Sequence, residues 1–423
     1  MCTVLGGGLS LVAAAGPATS AGALPSALTV TPTAINFGEV TLGDVVGDQF
    51  TLTNTSTTQS DTVTDLEATG TGANDFFGLV DPACDIADNG DITLGPSDTC
   101  IVFAFFNPGT LGPRNATIVV TDSLNSGATV ALSGVGGIGY YQVSSRGAVA
   151  NFGDAGFFGD LSGQPLNKPI VGIAQTGDDG GYWLVASDGG LFNYGDAGFF
   201  GSAGGIHLNK PIVGIAPTSD GGGYWMVATD GGIFNYGDAP FYGSTGSITL
   251  NKAIVGMAAT PDGGGYWLVA SDGGIFSYGD AQFYGSTGSI TLNKPIVGMA
   301  ATPDGGGYWL VASDGGIFAF GDAQFFGSTG SIHLAQPIVG MAAMPDGGGY
   351  WFTAADGGLF NYGTAPFQGS SAGTGLGSVV GMATDGAPTL QAFLDFSGQR
   401  AHTSESVPLL RPLPAGARHF AGG

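Results

Sequence analysis

The sixteen residues "PDGGGYWLVASDGGIF" stand at Pro261–Phe276 and recur unchanged at Pro303–Phe318, 42 residues further on. A period of this length marks a unit that cannot bury its apolar face alone and stacks against copies of itself. The same spacing runs through Tyr140, Tyr182, Tyr224, Tyr266, Tyr308 and Tyr350. Trp183, Trp225, Trp267, Trp309 and Trp351 follow five of these tyrosines and are all the tryptophans of the chain, while Tyr141 takes that place in the first copy. The copies that start at Ala253 and Pro295 agree at 35 of 42 positions, which points to recent duplication.

One unit reads as four short strands, "IVGMAAT", "YWLVAS", "GIFAFG" and "QFFGS", separated by "PDGGG", "SDGG" and "GDA". Four short strands in such a period are the mark of a β-propeller blade. The first strand recurs near Ile170, Ile212, Ile254, Ile296, Ile338 and Val379. A ring of six closes if "SVVGMATD", Ser378–Asp385, supplies the inner strand that the Tyr140 blade lacks. "LQAFLDFSGQRAHTSESVPLL", Leu390–Leu410, aligns as a degenerate further copy and permits seven. Neighbours in an extended strand point to opposite faces, so the Tyr and Trp of each pair fill the layers between blades. The alternative use of these rings, stacking on sugars, requires one of them to be exposed.

Residues 28–136 follow another grammar: "ALTVTPTAINFGEVTLGD", "DQFTLTNTST", "TVTDLEATG", "CIVFAFFNPGTLGPRNATIVVTDS" and "ATVALSGVG" alternate apolar with polar residues between turn signals. That pattern indicates an antiparallel sandwich. "INFGEVTLGD", "LGPSDTC" between two cysteines, "FNPGTLGPRNATIVV" and the closing "VALSGVG" together resemble the Ig-like domain of choice-of-anchor D and Hydin-type proteins. The resemblance implies a spacer or docking module without catalytic residues. In the repeats, "IVGMAATPDG" ahead of an aromatic strand resembles NHL-like propellers, and implies architecture alone. The fold expected is therefore all-β. Residues 1–23 form a leader, 24–136 an Ig-like β-sandwich, 137–410 a β-propeller of four-stranded blades, six or seven in number, and 411–423 a flexible tail.

"LVAAAGPATSAGA", with a small-x-small site at Ala21-Gly22-Ala23, reads as the apolar part of a secretory leader, although the first basic residue is Arg114. Secretion or a cell-surface location follows as the expectation, and no other run is long and apolar enough to span a bilayer. Cys84 and Cys100, close together in an Asp/Gly-rich stretch, read as one disulfide, with a two-cysteine metal site as the weaker alternative. The formal net charge is −24, and 30 of the 33 acidic residues are Asp. Such a surface repels phosphate backbones and argues against nucleic-acid binding. Asp beside Gly is also turn chemistry, which assigns much of this charge to loops.

Blade topology sorts the charged residues. Asp178, Asp220, Asp262, Asp304 and Asp346 fall in the first loop of each unit, and Asp154, Asp196, Asp238, Asp280 and Asp322 in the third, on the same face. Calcium is the ion such a carboxylate ring would suit, although no EF-hand spacing is present. The opposite face receives the "DGG" aspartates and Lys168, Lys210, Lys252 and Lys294, which are all the lysines of the chain. These four read either as a cationic collar for an anionic ligand or as the by-product of duplication, each paired with a nearby Asp.

Catalytic signatures are missing: no Gly-x-Ser-x-Gly, no His-Glu-x-x-His, no phosphate loop, and no Glu between Gly139 and Gly386. Near-identical blades suit repeated weak contacts better than an asymmetric active site. The expectation is an exported, non-enzymatic binding or scaffold protein of the cell envelope, with a glycan or protein ligand. The alternatives are a metal-assisted propeller hydrolase of a lactone, ester or glycan, and a purely structural repeat.

Overall fold

The computed structural model describes residues 28–87, 90–124 and 127–385. The expected leader, the degenerate copy at Leu390–Leu410 and the tail lie outside them. Two sheets make the N-terminal sandwich. One pairs Leu28–Thr31, Val46–Asn54, Thr99–Phe106 and Phe76–Val80; the other pairs Ala34–Thr41, Ala128–Gly137, Gly112–Asp122, Asp61–Thr69 and Ile92–Leu94. Strict alternation in Thr99–Phe106 turns Cys100, Val102, Ala104 and Phe106 inward, where they meet Phe50, Leu52, Ile118 and Val130. Cys84 and Cys100 form the expected disulfide, with Cα atoms 5.5 Å apart.

The repeats form a closed ring of six blades. Five are complete sheets such as Ile254–Ala259, Gly265–Ala270 and Ile275–Gly279, running from the axis outward. The sixth is assembled from both ends of the repeat region: Val379–Thr384 pairs antiparallel with Tyr140–Ser144, which in turn pairs with Val149–Phe152. Val379–Thr384 lies beside the inner strands Ile338–Ala343 and Ile170–Gln175, so the circle is complete. The count is settled at six by chain closure.

Every residue of each complete middle strand is buried, because both of its faces meet a neighbouring blade. Within it the Tyr turns to the preceding blade and the Trp to the following one. Trp183–Tyr224, Trp225–Tyr266, Trp267–Tyr308 and Trp309–Tyr350 approach with ring centroids 5.6 to 5.8 Å apart. Trp351–Tyr140 at 5.5 Å and Tyr141–Tyr182 at 5.1 Å complete the circuit. Both rings of every pair are buried, so they are packing elements and offer no stacking platform.

The fourth segment differs from the expectation of a paired strand. The ladder of each blade holds three strands, and "QFYGS" or "QFFGS" is held by side chains instead. Trp267 Nε1 donates to Gln282 O at 2.7 Å from its own blade. From the next blade, the Tyr308 hydroxyl accepts from Tyr284 N and Gly285 N, each at 3.1 Å, and donates to Gly285 O at 2.7 Å. With its backbone groups satisfied by indole and phenol, the segment has no need of a ladder. Gly285, at φ +145°, allows the bend; a Cβ there would meet the Phe320 ring at 2.4 Å. The segment is a strap across the joint between two blades.

Removing one hydroxyl therefore orphans three backbone groups at one joint. Tyr308→Phe should lower the unfolding free energy by about 1–3 kcal/mol, and Trp267→Ala by about 3–5 kcal/mol through the cavity it leaves. Urea denaturation of both variants checks the ranking; a silent Tyr308→Phe would show that the strap does not depend on the phenol.

Candidate functional site

The first-loop aspartates are committed to their own turns. The Oδ1 of Asp220, Asp262 and Asp304 accepts the N–H of Gly222, Gly264 and Gly306, each at 3.1 Å. The Gly264 N–H and the Thr260 hydroxyl hold the Asp262 carboxyl below its ordinary range, and Gly306 and Thr302 do the same for Asp304. Third-loop carboxylates come within hydrogen-bond reach of them, as the loop sorting predicts: Asp196 meets Asp178 and Asp238 meets Asp220. Burial and the charge of that partner push Asp196 and Asp238 up. The result is a face lined by carboxylate pairs. Among the described residues no three His, Cys, Asp or Glu side chains are placed to hold a metal ion.

At one sector this face is covered by the sandwich. The turn after Ala34–Thr41 inserts Leu42 into a buried cluster with Ile138, Tyr140, Met344 and Trp351. Thr41 Oγ1 donates to Asp154 Oδ2 at 3.3 Å. Asp44, two residues past Leu42, shares a hydrogen bond with Asp179 and faces Asp178 and Asp154; burial, against that bond, raises its pKa to about 6. Asp385 completes the group. In four of the other blades this position is a threonine and in the fifth it is Met344; Thr260 Oγ1, for example, accepts Gly265 N at 2.9 Å and donates to Asp280 Oδ1 at 3.3 Å. Asp385 likewise accepts the N–H of Gly139, but it faces Asp154 with a carboxyl where the repeat has a hydroxyl. Burial first, and then the charge of Asp154, push Asp385 up to about 8. A threonine brings its own proton to this contact, whereas two carboxylates must retain one.

The opposite end of the blades carries the lysines. Lys168, Lys210, Lys252 and Lys294 are exposed, each two residues before an inner strand. The pairing with nearby aspartates expected of a by-product is not seen: among the described residues the ion pair present is Arg114–Asp75, at 3.3 Å in the sandwich. Asp188 instead accepts the N–H of Gly190 at 3.1 Å. Lys210 lines a shallow groove with Asp188, Ile206, His207 and Pro211. Ile206, Ile248, Ile290 and Ile332 are 53 to 56% exposed, so each of these connections presents an apolar side chain beside its cation or, in the last, its glutamine.

Sequence reasoning missed the exposed aromatics. Phe157, Phe199, Phe241, Phe283, Phe325 and Phe367 are 56 to 62% exposed, one at the start of every strap. The signal was alternation around an anchored ring. Tyr284 turns inward onto Tyr308, with centroids 5.7 Å apart, so its neighbour Phe283 must point out. Which aromatic of "QFYG" was anchored could not be read before the strap was seen to bond the next blade.

Residues 25–137 match the family model of Cep192 domain 4. Among solved structures, the ASH/PapD-like domain of human CEP192 (PapD-like domain 7) is 14% identical, with a TM-score of 0.21, covering 30% of this chain and 97% of that one. The β-propeller domain of Cps50 (Swd1) from Myceliophteria thermophila is 9% identical, with a TM-score of 0.34, covering 47% of this chain and 65% of that one. Comparison with curated proteins finds no match. The two-sheet sandwich makes the N-terminal module Ig-like, and the ring of six blades identifies the propeller.

The junction carboxyls set a pH dependence. Folded Asp385 keeps up to about pH 8 a proton that the unfolded chain releases near 3.8, so its contribution to stability falls as pH rises between those values. Asp44 acts in the same sense up to about pH 6. Between pH 6.5 and 8 the expected loss is on the order of 1 kcal/mol per pH unit from Asp385. Asp385→Thr, the repeat's own solution, should remove that slope and raise the melting temperature at pH 8. An unchanged slope in thermal scans would overturn the assignment.

Proposed function

We propose that the chain is an exported, non-enzymatic binding or scaffold protein of the cell envelope, with the propeller as interaction platform and the Ig-like module as its spacer. The observation that supports this best is a surface unit repeated around one end of the ring. Lys168, Lys210, Lys252 and Lys294 are exposed at equivalent positions and free of ion pairs among the described residues, with an exposed Ile beside three of them. Identical weak contacts on a rigid ring add by avidity, which favours an extended, repetitive anionic partner such as an acidic polysaccharide or a carboxylate-rich protein. The apolar leader ending at Ala23 supports export. "INFGEVTLGD" with "VALSGVG", and "IVGMAATPDG" in the blades, support kinship with choice-of-anchor D domains and NHL-like propellers.

Several observations favour binding over catalysis. The inner strands present no ionisable side chain, from Ile170–Gln175 to Ile338–Ala343. The carboxylates that converge at the junction are covered by Leu42 and Asp44 of the sandwich. No helix among the described residues is long and apolar enough to cross a membrane.

The test is retention of the full chain on immobilised polygalacturonate and alginate at low and high salt, with the Lys168→Ala, Lys210→Ala, Lys252→Ala, Lys294→Ala quadruple variant alongside. Salt-sensitive retention that falls about tenfold in the variant is expected. Equal retention of both proteins, or none, would overturn the lysine face as the site.

A further inference from the structure

We infer that the rim of the propeller is a second, chemically distinct binding surface, and that its six exposed phenylalanines stack on the sugar rings of a neutral polysaccharide. This deepens the platform reading above and rests on it, but it uses different residues at a different place on the ring.

Isolated exposed apolar side chains are ordinary and need no explanation. The six phenylalanines are another matter. Within the chain, the residue before each is Gly, Pro or Gln and the residue after is Phe, Tyr or Gln, yet the exposed position is Phe in all six copies. The Ile and Lys of the connections are lost or replaced in some copies; the rim phenylalanine is not. Core packing does not require it, because each of these residues is more than half exposed.

Its backbone, by contrast, is held firmly. The residue before Phe283 accepts the indole N–H of Trp267 at 2.7 Å, and the residue after donates its N–H to the Tyr308 hydroxyl at 3.1 Å. The same indole bond precedes the rim ring in five blades, from Trp183 to Trp351, at 2.6 to 2.7 Å. Each ring is thus carried outward on a strap pinned from both sides, which lowers the ordering cost of binding.

The surroundings select the partner. Around the rings the rim offers acceptors: exposed Asp196, Asp238, Asp280 and Asp322 stand three residues ahead of theirs, and Gln282 and Gln324 are adjacent to theirs. The basic residues of the described propeller, Arg146 and the four lysines, all lie in the hairpin turn or the connections at the other end of the blades. An acidic polymer or an anionic lipid surface would be repelled here. A protein or lipid partner driven by apolar burial would require a continuous patch, and these rings are separated by a whole blade. A neutral polysaccharide meets both conditions. Its C–H faces stack on isolated aromatic rings, its hydroxyls donate to carboxylates and amides, and its length engages several blades at once.

The test is depletion of the full chain from solution by cellulose, curdlan and starch granules at low and high salt. The panel includes the Phe241→Ser, Phe283→Ser, Phe325→Ser triple variant, the matching Phe→Trp triple, and the quadruple lysine variant. Retention on at least one of these glucans that persists at high salt, falls about tenfold in the Ser triple, survives in the Trp triple and is untouched in the lysine variant is the expected result. No retention on any of them, retention abolished by salt, or equal retention of the Ser triple would each overturn the rim site. Circular dichroism melts of the variants separate loss of binding from loss of fold. The lysine reading fails on its own evidence, salt-sensitive binding of acidic polysaccharides, so the two failures are distinguishable.

Discussion

One tyrosine hydroxyl per joint holds the ring together. It donates to a carbonyl of the strap at every joint, and at the Tyr266, Tyr308 and Tyr350 joints it also accepts two successive backbone N–H groups. Its ring lies against the tryptophan of the preceding blade or, at Tyr182, against Tyr141. Each such aromatic contact contributes about 1 kcal/mol beyond its burial, and a buried donor or acceptor left without a partner costs about as much or more. The contact always runs from one copy to the next, so an open array would leave a bare tryptophan at one end and an unstrapped tyrosine at the other. Closure satisfies both. Trp351 meets Tyr140, whose hydroxyl takes the N–H of Gln368 at 3.0 Å and donates to Gly369 O at 2.7 Å.

Closure also explains where the repeat is broken. The last blade is assembled from two distant parts of the chain, and there Asp385 stands where four of the other blades lock the first loop with a threonine. The same sector receives the turn of the sandwich, with Leu42 buried and Asp44 among the carboxyls. Symmetry therefore fails where chain closure and module docking coincide, and that is where the most perturbed carboxyls are found. Their strong shifts come from crowding and burial at a joint, so perturbation alone is no mark of a catalytic centre here.

The remaining surface divides by the chemistry of its loops. Asp-Gly turns of the first loops place carboxylates on one face and bind them to backbone N–H groups, as the "DGG" turns do at the other end, which uses up much of their capacity for other ligands. Connections that lead into the inner strands carry the four exposed lysines. The straps carry exposed phenylalanines whose neighbours are anchored in the joints. Each of these three zones repeats with the blades, because each belongs to a loop or strap that every copy carries.

Much of this was legible in the residues themselves. The 42-residue period, the alternation in "CIVFAFF" and the unmatched inner strand at Ser378–Asp385 depend on local pattern and copying, and they led to a sandwich, a propeller, the disulfide and a closed ring of six as one of two options. The choice of six over seven, the demotion of the fourth strand to a strap, and the burial of every Tyr–Trp pair were decided by tertiary contacts. A tyrosine hydroxyl that bonds the backbone of another blade leaves no trace in the spacing of its own. For the same reason the exposed ring of "QFYG" could not be told from its half-buried neighbour: the two differ in which blade they face, and only the closed ring fixes that direction.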